Sequence, residues 1–291
     1  MPERLLRVLS RKEAVRMDAD ESVRALGIYV HQRSGKSSML EMHDHAFFEI
    51  YFLQKGEREY FIGDRFYKVG EGDTVLIPPN VLHRTVGGMA HRTLLHIDRA
   101  YLARYFSGAL VESLTCLDGV AVLHPTEENA VRAANIYQSL LSAYEKQLAV
   151  GGQEALLAGY VFELLFLFSD QAQTGQAKEL SVGRMEQIVR YIQENYAQIR
   201  SIGELADEFF LSKYHLCHLF KKHLGLSIVS YINMIRIRAA CRLLDKGERN
   251  ITELALAVGF GSSAYFCKVF KEQMHATPLE YRKKRRENAS L

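Results

Sequence analysis

From about Leu26 to Asp98 the apolar positions recur in short runs, GIYVHQ, FFEIYFLQ, EREYFIG, RFYKV, DTVLIPP and RTLLHID, rich in β-branched and aromatic residues. Glycine-containing stretches, KGE, GDR and GEGD, stand between them as turns. Many short strands with tight turns predict an antiparallel barrel or sandwich over about 26–100. Past Tyr101 the pattern turns helical, and two periodic segments, Glu127 to Leu148 and Glu154 to Phe168, meet at a Gly151-Gly152 break. The second carries Leu156, Leu157, Tyr160, Val161, Leu164, Leu165 and Phe168, apolar nearly all round. Such a helix has to be covered, either by the barrel or by a second copy across a dimer axis.

The stretch Gln171 to Ser181, QAQTGQAKELS, is polar and without periodicity, so 171–182 reads as a linker. The expected organisation is α+β and multidomain. Residues 1–170 hold an antiparallel β-barrel with flanking helices at about 101–170, and 183–291 form an all-α domain.

That last domain repeats itself. Ser201-Ile-Gly-Glu-Leu-Ala206 aligns with Asn250-Ile-Thr-Glu-Leu-Ala255 at an offset of 49, and Leu219-Phe-Lys221 with Val269-Phe-Lys271 at an offset of 50, so the extra residue falls in the turn between. Each copy opens with a capping box, Ser201 with Glu204 and Asn250 with Glu253. Each then predicts a short helix, a turn, and a second helix with an apolar stripe: Leu216, Leu219 and Phe220 in one, Phe266, Val269 and Phe270 in the other. Gly259 suits its turn because glycine alone takes positive φ cheaply. Away from the stripes lie Lys213, Tyr214, Cys217, His218 and Lys221 in the first copy, and Ser262, Ser263, Ala264, Cys267, Lys268 and Lys271 in the second. A helix-turn-helix with a basic outward face fits a major groove about 12 Å wide.

Charge sharpens this picture. The chain of 291 residues is 48% apolar, enough for two cores, with a formal net charge of +3. Residues 1–182 hold 19 Lys+Arg against 23 Asp+Glu, while 183–291 hold 18 against 11, so the repeat segment carries the basic excess expected of a polyanion-binding module. The opening MPERLLRVLSRKEAVRMDADES has no apolar core of a secretory signal. The longest apolar stretch, Tyr160 to Phe168, is broken by Glu163 and too short to span a bilayer. A cytoplasmic protein without a membrane partner is expected. Cys116, Cys217, Cys241 and Cys267 form no C-x-x-C pair and read as reduced thiols.

These motifs resemble one family in particular. S-x-x-x-L-x-x-x-F-K-K-x-x-G at Ser212 to Gly225, Y-I-x-x-x-R at Tyr231 to Arg236, A-x-x-x-G-F at Ala255 to Phe260, Y-F-x-x-x-F-K at Tyr265 to Lys271 and T-P-x-x-Y-R at Thr277 to Arg282 are similar to the AraC/XylS transcription regulators over roughly 184–286. The resemblance implies a long connecting helix, here Ile228 to Leu244, that sets both reading helices in successive major grooves. His275 departs from the pattern, standing where the family has glycine, as Gly225 does in the first copy. For base contacts, Tyr214 offers apolar or stacking contact, His218 a hydrogen bond to a purine edge, and Lys268 a match to guanine O6/N7. Lys213, Lys221, Lys222, Lys271, Arg236, Arg238 and Arg242 read as phosphate clamps or as surface charge.

In the barrel, His43-x-His45-x-x-x-Glu49 followed by Gly56, then Gly72-x5-Pro78 with His83, resembles the two cupin motifs, with Asn80 and Gly87 departing from the usual residues of the second. The resemblance implies a cupin-like sensor domain whose His43, His45, Glu49 and His83 converge. Three imidazoles and a carboxylate suit a divalent transition metal. The same four residues also suit a hydrogen-bonded polar cluster that orders the barrel mouth or holds an organic effector. No cofactor is required, and a divalent metal in the barrel is compatible with the residues. His96 faces the same cavity in this reading; His31, His91 and His124 read as ordinary histidines.

The expectation is a sequence-specific, effector-controlled transcription regulator and not an enzyme. Its partners would be a double-stranded DNA operator, a small-molecule effector with a carbohydrate as the family analogy, a second copy of itself, and RNA polymerase if it activates. A metal-responsive regulator and a cupin metalloenzyme with a DNA-binding tail are the alternatives. The second leaves the tandem module unexplained.

Overall fold

The computed structural model describes residue 23 and residues 27–36, 42–114, 117, 119, 121–146, 152–174, 179–180, 183–245 and 250–289. Cys116 lies outside them. The chain divides into two compact units, Met1–Ser181 and Val182–Leu291.

The first unit is an antiparallel sheet of seven strands: β1 (Ile28–Gly35), β2 (Phe48–Ile62), β3 (Arg65–Val69), β4 (Thr74–Ile77), β5 (His83–Ile97), β6 (Ala121–Leu123) and β7 (Glu179–Leu180). Their order is β1-β5-β2-β3-β7, with β4 between β2 and β6. Two of the expected strands, FFEIYFLQ and EREYFIG, are one. The KGE stretch between them is not a turn; β2 runs through it with register shifts at Leu53/Lys55 and Gly56/Arg58. Gly56 takes φ 101° there, and an added Cβ would collide with the Met89 carbonyl oxygen, so the two strands close on glycine without parting. The bulge also bends the sheet. His83 pairs with Ile62 at one end of the β2–β5 ladder, yet its Nε2 lies 3.8 Å from Glu49 near the other end. A straight strand would separate those ends by about 40 Å. The sheet therefore curls into a barrel.

Strand alternation gives this barrel two apolar faces. Tyr51, Leu53, Tyr60, Ile62, Tyr67, Val69, Val75, Ile77, Ala90 and Leu94 pack together inside it. Phe48, Ile50, Phe52, Leu95 and Ile97 face outward, where the helices cover them. These are α1 (Arg99–Tyr105), α2 (Gly108–Ser113), α3 (Glu127–Glu145) and α4 (Gly152–Thr174). Asp98 starts α1 by accepting from the Tyr101 amide at 2.6 Å, and Thr126 starts α3 by accepting from Asn129. Val161, Leu164, Leu165 and Phe168 of α4 are fully buried with Tyr137 and Leu140 of α3 in this outer core. Most of the all-apolar helix is thus covered within the chain, although Leu156 and Phe166 remain exposed.

The stretch 171–182 is not a plain linker. The helix α4 continues to Thr174, because a polar run alone stops no helix. Glu179–Leu180 then adds to the edge of β3, opposite Tyr67 and Phe66.

The second unit is helical: α5 (Arg184–Asn195), α6 (Ile202–Glu208), α7 (Lys213–Leu224), α8 (Ile228–Asp245), α9 (Ile251–Ala257), α10 (Ser263–Met274) and α11 (Pro278–Ala289). The central helix α8 packs against α5 and α7 on one side of the repeat and against α9, α10 and α11 on the other. Among the described residues no single helix is long and apolar enough to cross a membrane.

Candidate functional site

The two copies of the repeat match in detail. The helices α6 and α9 are offset by 49 residues, α7 and α10 by 50, and the turn is the one place where they differ in length. Ser201 Oγ accepts from the Glu204 amide at 3.1 Å, and Asn250 Oδ1 from the Thr252 amide at 2.7 Å. Glu204 reaches back to the Arg200 amide at 3.3 Å, one residue before the expected partner. Each turn contains a left-handed residue, Phe210 (φ 53°) and Gly259 (φ 91°), followed by the same hydrogen bond, Leu211 amide to Ala206 carbonyl and Phe260 amide to Ala255 carbonyl, both 2.9 Å. Only the second must be glycine. A Cβ at Gly259 would lie 2.6 Å from the Ala197 oxygen, whereas Phe210 projects into open solvent at 93% exposure.

The second helix of each pair starts on a serine cap, Ser212 accepting from His215 and Ser262 from Tyr265. Leu216 and Phe220 anchor α7; Phe266, Val269 and Phe270 anchor α10. Leu219, expected in the stripe, is only half-buried. The outward face of α7 exposes Lys213, Tyr214, His218, Lys221 and Lys222, with Tyr214 and His218 stacked at 6.4 Å between ring centres. His215, not singled out from the sequence, is exposed beside them. The corresponding face of α10 exposes Ser262, Ala264, Lys268 and Lys271, and Lys268 lies 4.0 Å from Glu272. Cys217, Ser263 and Cys267 are half-buried at the edges of these faces. Arg236 is not a surface charge. It donates to the carbonyls of Tyr196 (2.9 Å) and Ile199 (2.6 Å) and lies over the Phe260 ring, tying α8 to the chain between α5 and α6.

In the barrel the expected histidines meet. His43, His45 and His83 bring one ring nitrogen each within 4.8 Å of one another, and His43 and His83 pair as a β-bridge. Glu49, buried on the inner face, sets Oε2 at 3.2 Å from His45 Nε2, 3.1 Å from His96 Nε2 and 3.8 Å from His83 Nε2. His96 thus joins the cluster. Burial pushes the Glu49 carboxyl up, but hydrogen bonds from His45 and His96 and the neighbouring His83 outweigh it and hold the group well below the usual carboxylate range. Burial pushes His83 down, and Glu49 with the Val81 carbonyl more than reverses that.

The Nδ1 atoms of His45 and His83 lie 2.9 Å from the carbonyl oxygens of Phe47 and Val81. A carbonyl only accepts, so both Nδ1 atoms carry hydrogen, and in the neutral ring the Nε2 lone pair of His45 faces the Glu49 carboxylate at 3.2 Å. That arrangement calls for a positive charge between them, a proton or a cation. His31 lies next to the cluster at 5.6 Å from the His96 ring, with both ring nitrogens buried and without hydrogen-bond partners among the described residues.

An antiparallel barrel with a buried histidine–glutamate cluster, followed by a paired helix-turn-helix module with basic exposed faces, is the architecture of a transcription regulator. A family model described as an AraC-like ligand binding domain matches residues 26–165, and one described as a helix-turn-helix domain matches 205–284. The chain belongs to the AraC family of transcription regulators. It is 26% identical over 263 residues to the HTH-type transcriptional activator RhaS of Pectobacterium carotovorum, covering 89% of this chain and 93% of that one. It is 22% identical over 275 residues to the HTH-type transcriptional regulator YfiF of Bacillus subtilis, covering 88% and 84%. Among solved structures, ToxT from Vibrio cholerae matches at 15% identity and a TM-score of 0.35, over 88% of this chain and 97% of that one.

Proposed function

We propose that Tyr214, His218 and Lys268 read base edges of the operator while Lys213, Lys221 and Lys271 hold its phosphates, with Ser262, Ser263, Ala264, Cys217 and Cys267 completing the two contact faces. The observation that carries this is the equivalence of the two turns, which presents an exposed, basic second helix twice in one compact unit. Two such helices call for two adjacent major-groove segments about one helical turn apart. Footprinting on the DNA upstream of the protein's own gene tests it. Two protected segments at that spacing are expected; a single segment, or none, contradicts it.

The effector enters the barrel, and the family analogy makes a small carbohydrate the first candidate. A divalent cation held by His43, His45, Glu49 and His83 fits the donor set: the Nδ1–H groups of His45 and His83 are already directed to carbonyls, and Glu49 Oε1 is buried without a hydrogen-bond partner among the described residues. Such an ion would supply positive charge and open coordination positions for an effector's oxygens. The protein acts in the cytoplasm as a homodimer, in which the exposed Val131, Leu156 and Phe166 of α3 and α4 supply apolar contact area. If it activates transcription, it also meets RNA polymerase. The metalloenzyme alternative gains nothing from the relatives, which are named as regulators.

A further inference from the structure

The alternation that turns Tyr51, Leu53, Tyr60 and Ile62 into the barrel also turns Arg58 inward, and across the ladder it turns Arg92 inward two residues before Leu94. Arg58 is 1% exposed and Arg92 5%. A guanidinium is taken out of water at a large cost unless an opposite charge and hydrogen-bond acceptors meet it. Arg58 donates through Nη2 to the Gly35 carbonyl at 3.3 Å, and its Nε and Nη1 meet no acceptor among the described residues. The carboxylates flanking it in sequence do not help. Glu57 and Glu59 point to the other face of β2, both exposed, and Glu57 faces Lys68 at 3.4 Å. Glu49, on the inner face, is engaged by three histidines.

What does lie near is more positive charge and more hydroxyl. Arg33 is paired with Arg92 across β1 and β5, and Tyr51 and Tyr60 pack 5.2 Å apart in the same interior. Burial holds the Arg92 guanidinium below its usual range, and the neighbouring charges of Arg58 and Arg33 push the same way. The cluster is close to solvent. Gly87, whose Cβ would lie 2.9 Å from Arg58 Cδ, is exposed together with Gly88 and Met89, and Arg33 and Lys36 are exposed on the β1 side.

Building on the effector-barrel reading, we propose that Arg58 and Arg92 hold an oxyanion of the effector, a carboxylate or a phosphate, so that the inducing molecule is a small acid and not a neutral sugar. The planar fork of a guanidinium matches either group with two parallel hydrogen bonds; the unmet Nε and Nη1 of Arg58 leave a donor on each of its two edges, both of which share Nη2. The tyrosines and the histidine cluster then face the remainder of the molecule.

Thermal melting of the full-length protein tests this, with acetate, inorganic phosphate, glucuronate, glucose 6-phosphate and neutral glucose compared at one ionic strength set by NaCl. At least one anion is expected to raise the melting temperature by about 3 °C or more, and glucose is not. Glucuronate against glucose 6-phosphate separates a carboxylate effector from a phosphate one. Arg58→Met keeps an unbranched apolar stem without the charge; it is expected to melt no lower than wild type without anion and to lose the response. Arg58→Lys keeps the charge without the fork and should respond more weakly, and it decides the matter if Arg58→Met does not fold. The proposal is overturned if no anion exceeds NaCl or if either variant responds as wild type does. Binding to the upstream DNA fragment, measured on the same preparations, keeps the two readings apart: DNA binding without an anion response sinks the acid effector alone, whereas absent DNA binding sinks the regulator.

Discussion

His275 ends α10 in the left-handed conformation, φ 52° and ψ 20°, at the place where Gly225 ends α7 with φ 77°. A side chain in that conformation costs roughly 1–2 kcal/mol, partly offset in a glycine variant by the extra freedom of the unfolded chain. His275→Gly should therefore stabilise the protein by about 0.5–1 kcal/mol, seen as a denaturation midpoint moved upward; an unchanged or lower midpoint would show that the imidazole makes a compensating contact. His31 bears on pH. Burial, the largest cause, with the neighbouring His96, lowers its pKa to about 3, so the folded state keeps it neutral while the unfolded chain binds a proton below about 6.5. Stability is unaffected above that value and falls as pH drops toward 3, by roughly 2 kcal/mol at pH 5. His31→Phe should flatten the loss, and urea titrations at pH 7 and pH 5 would show it. On the DNA side, His218→Ala and Lys268→Ala should each weaken binding to the preferred site by about 1–3 kcal/mol and relax specificity there. Wild-type binding by both would place the reading register elsewhere on the helices.

Among the elements, the tandem helix pairs were the most legible, because caps, apolar stripes and turns all repeat and each copy checks the other. The offset change from 49 to 50 placed the longer turn correctly, since Phe209 to Ser212 and Val258 to Ser262 differ by that one residue. Gly259 separates the copies physically: Gly259→Ala should cost at least about 2 kcal/mol, from φ strain and from contact with Ala197 together, and should abolish DNA binding through the second pair. An Ala variant that folds and binds normally would contradict the close packing. The strands were less legible. KGE looked like a turn because glycine marks turns and bulges alike, and nothing local distinguishes a glycine pressed against the Met89 carbonyl from one at a hairpin tip. The polar tail of α4 looked like a linker because polarity says nothing about helix continuation. In the barrel, His43, His45, Glu49 and His83 were found from spacing. Arg58 and Arg92 were not, although their inward positions in EREYFI and HRTLLHI follow the same alternation as Tyr60 and Leu94. An arginine at an inward position reads as an exception to hydrophobic patterning until its burial is seen.

For the molecule as a whole, the division of charge is the division of labour. The unit from Val182 to Leu291 carries the basic excess and the two exposed reading faces, and the unit before it carries the buried histidine and arginine clusters. Binding to DNA should therefore depend steeply on salt. Each phosphate neutralised contributes about 0.9 to the slope of log affinity against log salt, so three lysine–phosphate contacts give a slope near −3 for one subunit. The effector acts through the other unit and should change affinity without changing which bases are read. The most direct test of the central claim is binding of the full-length protein to a fluorescent DNA fragment from upstream of its own gene, against unrelated DNA, across a salt series. Preferential binding to that fragment with a clearly negative salt slope, lost in the His218→Ala Lys268→Ala double variant, is the expected result; no binding to either DNA at low salt would contradict it.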